Sequence, residues 1–133
     1  MPIKKNSGRQ ELVVAYVDIA FGDVTTYGLA EDTIEIPGNA VITGGEIVVT
    51  EAWNSATSAT LKLGDAADDD RYTAVPVDLK TLGRTALTLT GFKHAKTESL
   101  KALLAQAGAA ATKGKARIVV NYYVEGRAAF AQG

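Results

Sequence analysis

Four aspartates crowd the stretch behind Gly64: Asp65, Asp68, Asp69 and Asp70, followed at once by Arg71. Clustered carboxylates offer the oxygen ligands that Ca²⁺ takes. They lack, however, the alternating positions and closing glutamate with which a helix-loop-helix site wraps one ion. The spacing reads instead as a solvated acidic loop partly neutralised by Arg71, and no metal is assigned. His94 is the sole histidine, so a Ser-His-Asp relay would have to run through it. Lys93 and Lys96 flank it, and repulsion between like charges disfavours an imidazolium there. An exposed loop histidine is the expectation. No serine sits in a glycine-flanked nucleophile elbow. Nothing selects a carboxylate pair of glycosidase type, since such pairs come from anywhere in a β fold. Gly44-Gly45 is followed by strand-like residues, so no helix N-terminus is available to cradle phosphate. The absence of cysteine removes thiol catalysis, disulfides and the usual ligands of structural zinc. No catalytic residue, cofactor or metal is expected, and the chain does not read as an enzyme.

What remains is contact chemistry. Trp53, Tyr122, Tyr123 and Phe130 are expected first to pack in the core or on a sheet, because large aromatics are usually well buried. The alternative is that one or two anchor a protein interface, where aromatics are enriched. Phe130 stands in a tail of small residues and gains little there unless it docks. The polar first ten residues carry Lys4, Lys5 and Arg9, either as a frayed end or as an arm that orders against a partner. The candidate partner-binding residues are Lys4, Lys5, Arg9, Trp53, Arg127 and Phe130.

These residues must be held by a framework, and the framework reads as β. The chain has 133 residues, a hydrophobic share of 47% and a charged share of 22%, the make-up of one globular domain. Fourteen basic against fifteen acidic residues leave a net charge of −1, which disfavours a nucleic-acid binder dependent on basic excess. No apolar run follows the charged N-terminus, and no window approaches the ~20 apolar residues of a membrane span. A soluble product made in a cytoplasm, with no membrane partner, is the expectation.

The organising stretch is Gly44 to Asp65. In it Ile47, Val49 and Trp53 share one face, with Glu51 as the exception, and Ala59, Leu61 and Leu63 alternate in turn. Asn54-Ser55-Ala56-Thr57 between them suits a tight connection, and Gly44-Gly45 is a strong hairpin dipeptide, so a central hairpin is expected. Leu12 to Phe21 reads as a strand apolar on both faces, hence covered on both sides. Val24 to Tyr27, Thr33 to Ile36, Tyr72 to Leu79 (at an edge or bulged at Pro76), Thr85 to Thr90 and Ala116 to Glu125 read as further strands. Glu98 to Ala111 has the spacing and propensity of a helix, yet alternates too. Its strand-like neighbours favour a strand ending near Ala105, with Gly108 in the turn and a short helix near 98–107 as the alternative. Short strands with regular turns and no βαβ alternation predict an all-β antiparallel sandwich, and a jelly roll among these. The divisions are an N-terminal arm over 1–10, one sandwich domain over 11–127 and a tail over 128–133.

Three stretches resemble the head decoration, or cement, proteins of tailed bacteriophages. They are Val41 to Ala66, Val77 to Thr88 and Gly114 to Gly133. The likeness extends over most of the chain from Leu12 onward and rests on structural motifs: turn glycines, the hairpin and the terminal strand. The departure is Glu98 to Ala111, where a threonine- and valine-rich strand is the family pattern. The resemblance implies a jelly-roll body on the outer surface of a phage head, made in the host cytoplasm. It implies the major capsid protein as partner, and a dimer or trimer that clamps neighbouring capsid subunits. Competing readings are a tail or neck subunit, a carbohydrate- or receptor-binding sandwich, and a small β-fold enzyme without a visible catalytic constellation.

Overall fold

Alternation in Lys115–Val124 is strict: Ala116, Ile118, Val120, Tyr122 and Val124 are buried, and the residues between them face outward. One ribbon with one apolar face must find a second sheet to cover it. The computed structural model describes residues 11–126, and within them lie eight strands. In chain order they are β1 (Val13–Ala20), β2 (Ala30–Ile36), β3 (Ala40–Glu51), β4 (Ser58–Gly64), β5 (Val77–Asp78), β6 (Gly83–Ala86), β7 (Glu98–Ala107) and β8 (Lys115–Val124). They form two antiparallel four-stranded sheets, ordered β1-β8-β3-β6 and β2-β7-β4-β5. Each strand of the first half pairs with its mirror in the second: β1 with β8, β2 with β7, β3 with β6, β4 with β5. The β3–β8 and β4–β7 ladders then close the roll. The fold is a jelly roll: a single long two-stranded ribbon wrapped around its own apolar face.

Several expectations change in detail. The strands flanking Ala52 to Thr57 do not make a hairpin, because β3 and β4 belong to opposite sheets. The connection is an arch, which sets Ile47 and Val49 across one core from Leu61 and Leu63 where a hairpin would set them side by side. Gly44-Gly45 makes no turn either. The pair lies inside β3, where the register with β8 shifts between Ile42 and Gly44. Gly45 has φ +146° there, and a Cβ would come within 2.7 Å of Leu87 Cδ1. Glycine is required by a close approach. The bulge also explains the phase change along β3, from buried Ala40 and Ile42 to buried Ile47 and Val49. A second shift between Val49 and Glu51 removes the Glu51 anomaly: its Oε1 accepts the Gly114 N–H at 3.0 Å.

Glu98 to Ala107 is a strand, with Gly108 at φ +80° just beyond it. Leu100, Ala102 and Leu104 are buried, while the residues between them are half-covered. Pairing on both sides, with β2 and β4, outweighs the helical propensity of the leucine–alanine run. Val24 to Tyr27 forms no strand; a 3₁₀ turn at Phe21–Asp23 leads into an irregular loop. The strand expected over Tyr72 to Leu79 shrinks to Val77–Asp78, just past Pro76, and that over Thr85 to Thr90 to Gly83–Ala86. β1 is not covered on both sides. It is the edge of its sheet, with Val14 and Tyr16 each 60% exposed.

Trp53 closes the end of the sandwich away from Val13. Its N–H donates to Leu79 O at 2.9 Å, and Nε1 donates to the Tyr27 hydroxyl at 3.0 Å. That hydroxyl in turn donates to Phe21 O at 3.0 Å. Gly114, at φ +153°, lies flat against the indole, and a Cβ there would stand 2.7 Å from Cε3. Gly114→Ala therefore combines an unfavourable backbone region with an overpacked ring. It should lower unfolding free energy by about 2–4 kcal/mol, read from the midpoint of urea denaturation at unchanged slope.

Candidate functional site

Two regions carry polar or apolar groups in arrangements that the fold alone does not demand. The first is a buried polar line at the end of the sandwich where β4 and β8 finish and β7 begins. His94 has no exposed surface, contrary to the expectation of an exposed loop histidine. Its segment runs extended beside the start of β3, with His94 N donating to Ala40 O at 3.0 Å, Asn39 N donating to His94 O at 2.7 Å, and Lys93 bridging Val41. Consecutive residues of an extended segment point oppositely. Lys93 therefore faces outward to Glu125, at 3.2 Å, and His94 faces inward. Flanking lysines in the sequence did not forecast the surroundings of the ring.

His94 Nδ1 lies 2.7 Å from Glu98 Oε2, and Nε2 lies 2.6 Å from the Tyr72 hydroxyl. A carboxylate only accepts, so Nδ1 carries the proton, and in the neutral ring Nε2 accepts the hydroxyl proton of Tyr72. Beside this line sits Asp65. Its Oδ2 takes Arg71 Nε at 2.6 Å, and Oδ1 takes the N–H groups of Ala67 and Asp68 at 3.0 and 2.9 Å. The Arg71 guanidinium stacks 3.6 Å from the centre of the Phe92 ring, which meets His94 edge-on at 4.9 Å. The acidic loop is thus only half solvated: Asp65 is buried and paired, and Asp68, Asp69 and Asp70 form the outer cluster.

The order hydroxyl, imidazole, carboxylate matches a general-base relay. Tyr72 is 2% exposed, so the hydroxyl opens onto protein and not onto a substrate. Asp65, His94 and Glu98 also bring three potential metal ligands together. Their atoms are already committed: Arg71 and two backbone N–H groups saturate Asp65, and the imidazole is held at both nitrogens. The donor set fits a closed hydrogen-bonded staple better than an ion cage. It ties the β4–β5 connection to the segment before β7 and to the start of β3.

Burial works to raise Asp65, but hydrogen bonds from Arg71 and the backbone outweigh it and hold the carboxyl below its ordinary range. Burial, with the negative charges of Asp65 and Glu98, pushes the Tyr72 hydroxyl well above its ordinary range. For a depressed carboxylate, the stabilisation is present above the unfolded value near 4 and is lost as pH falls below it. For a raised phenol, it is present below about pH 10 and is lost as pH climbs past that value. Tyr72→Phe leaves His94 Nε2 buried without a donor and should cost about 1–3 kcal/mol, while flattening the alkaline limb of stability. Asp65→Asn should cost about 3 kcal/mol near neutrality by stranding Arg71, and should flatten the acid limb. Thermal melts across pH 2–11, on the two variants and the parent, read both effects.

The second region is the outer face of the β1-β8-β3-β6 sheet. Pairing places Val14 beside Asn121, Tyr16 beside Val119, and Val119 beside Glu46. The next row is Asp18, Arg117, Val48 and Arg84. Apolar Val14, Tyr16, Val48 and Val119 occupy the middle. Charge pairs are interleaved with them: Asp18 with Arg117 at 2.7 Å, the Arg117 guanidinium lying 4.5 Å over the Tyr16 ring, and Glu46 with Arg84. Exposed Val14 and Tyr16 beside arginine are residue types suited to an interface. Sequence reasoning passed over Val14 and Tyr16 because an all-apolar strand looks like core. Trp53, by contrast, is withdrawn from the partner-binding candidates: it is 1% exposed and belongs to the core. Lys4, Lys5, Arg9, Arg127 and Phe130 lie outside the described residues.

No protein-family model matches the chain, and no curated protein matches it. Solved structures do match. A chain of the cyanophage Pam1 capsid asymmetric unit superimposes with a TM-score of 0.67 at 23% identity, covering 93% of this chain and 92% of that one. A chain of the acid-stable capsid of Helicobacter pylori bacteriophage KHP30 gives 0.67 at 11% identity, over 92% and 94% of the two chains. One from the capsid of Ralstonia phage GP4 gives 0.66 at 18% identity, over 89% and 86%. At these identities the likeness establishes a shared fold along nearly the whole chain: this jelly roll has the form found in chains of three phage capsids.

Proposed function

We propose that this protein is a structural component of a tailed-phage virion, seated on the outer surface of the capsid, where it clamps neighbouring major capsid subunits. The observation that carries this reading is the fold shared, nearly end to end, with chains from three phage capsid structures. The surface chemistry agrees with it. Tyr72 and His94 are buried, whereas the β1 edge and the outer face of its sheet present exposed Val14 and Tyr16 among paired charges. An edge strand also offers unpaired backbone groups to which another chain can add.

A clamp acts by mass action. Binding assembled shell in preference to free subunits stabilises the shell, and an oligomer that touches several subunits gains through effective concentration. Each contact can then be modest, since anchor quality matters more than area. The basic residues Lys4, Lys5 and Arg9 and the C-terminal Arg127 and Phe130 belong to this reading as further contact residues.

The test is co-sedimentation of the purified protein with phage heads lacking it, alongside images of labelled protein on virions. Binding to the sides of heads is expected. Labelling confined to the tail or neck, or no binding, overturns the reading. Tyr16→Asp should keep the parent melting temperature to within a few degrees and weaken head binding by about 30-fold, the loss that one anchor of about 2 kcal/mol accounts for.

A further inference from the structure

Along one side of the sandwich β1 and β2 lie near each other without pairing. There β1 and β2 are both edge strands, and between them lies a slot of about 230 Å³. Its floor is apolar: Ile19, Val24 and Leu104 are each at most 9% exposed. Its rim is acidic, formed by Asp18, Asp23, Glu31 and Asp32. Two of these carboxylates have their own cations, Asp18 with Arg117 at 2.7 Å and Asp32 with Lys101 at 2.6 Å. Among the described residues the other two accept only backbone N–H groups: Asp23 from Ala20 at 2.8 Å and Glu31 from Thr25 at 3.0 Å. Among the described residues the rim therefore carries two negative charges more than its paired cations offset.

The segment ahead of β1 has the complementary composition. It reads Met1-Pro-Ile-Lys-Lys-Asn-Ser-Gly-Arg-Gln10, with Ile3 beside Lys4 and Lys5. One apolar side chain suits a slot of this size, and two ammonium groups match two uncompensated carboxylates. In an extended strand Ile3 and Lys5 point to one side and Lys4 to the other, so Ile3 can face the apolar floor while the long lysine stems carry their ammonium groups to the rim. A tight hairpin within one chain does not bring the segment to the slot. A two-residue reversal at Gly8-Arg9 would set Lys4 against Val13, and Asp18 lies five positions further along β1, roughly 17 Å away. A neighbouring copy is under no such restriction.

We propose that the acid-rimmed slot between β1 and β2 receives the Ile3-Lys4-Lys5 segment of a second copy of this chain, inserted as an extended strand against the open edges. The exchange builds the oligomer, and it rests on the reading of the protein as an oligomeric clamp. Backbone pairing to the edges supplies affinity and the lysines supply register and salt sensitivity.

The chain contains no cysteine, so disulfide trapping reads the contact directly. Full-length Lys4→Cys and Glu31→Cys variants are mixed and oxidised, in solution and bound to heads. Lys4→Cys mixed with Thr85→Cys, on the far edge strand β6, serves as control. The expected result is a mixed dimer at least about tenfold above the control, abolished by 1 M salt during oxidation, where the Debye length is about 3 Å. The charge-swapped chain Lys4→Glu/Lys5→Glu/Asp23→Lys/Glu31→Lys should restore the oligomer that Lys4→Glu/Lys5→Glu loses, as read by sedimentation velocity. Mixed dimer no higher than control in both settings overturns the proposal. So does a Lys4→Cys/Glu31→Cys chain that closes only within itself. If the trap fails while head binding persists, the slot assignment falls and the clamp stands. If the trap succeeds while head binding is absent, the slot assignment stands alone.

Discussion

The constraint on which this molecule depends is that each strand of the first half pairs with its mirror from the second. β1 lies beside β8, β2 beside β7, β3 beside β6 and β4 beside β5, so the ribbon's open ends come together. Rolling that ribbon brings β3 onto β8 and β4 onto β7, which buries one face of every long strand in a shared core. The same rolling leaves β1 and β2 as edges on one side. Closed barrels have no such edges, whereas jelly rolls keep theirs and must protect or use them. The exposed apolar row on β1 and the acidic slot beside it both follow from this topology.

The roll needs its ends closed, and different chemistry does so at each. At one end Trp53 fills the space under the arch between β3 and β4, with Gly114 as the flat surface it rests on. At the other, the rings of Tyr72 and Phe92 join a polar closure: Tyr72, His94, Glu98, Asp65 and Arg71 form a connected set with almost every group satisfied. A buried polar set of this kind specifies geometry as much as it stabilises, because any other arrangement strands a donor or a charge. It fixes two connecting segments, β4–β5 and β6–β7, that otherwise lack regular structure.

Much of this was legible in the alternating residues. The sandwich, the turn at Gly108 and the strand identity of Glu98–Ala107 follow from period-two burial and from neighbours that need a partner. Three things were not. Gly44-Gly45 carries the sequence of a hairpin turn, but the same freedom of φ serves a bulge, and only pairing with β8 distinguishes the two. The Ala52 to Thr57 connection suits a hairpin or an arch equally, because local residues do not state which sheet the next strand joins. His94 sits between lysines whose charge says nothing of its own direction, which alternation along an extended segment decides. β1 misled for a related reason. A doubly apolar strand looks like core, yet β1 is an edge strand whose Val14 and Tyr16 are exposed.

Mirror pairing has a consequence for how the chain is made. Only β4 and β5 are neighbours in both sequence and sheet; β1 must wait for β8, which is separated from it by nearly the whole domain. As the polypeptide leaves the ribosome, the apolar faces of β1 to β3 emerge before any of their partners exist. The fold is therefore completed only after Val124 has cleared the exit tunnel. Closing such long loops is slow, and unpaired edges are exposed in the meantime. In that interval the charged residues of the first half, such as Glu31, Asp32 and Glu35 on β2, oppose association of one nascent chain with its neighbours.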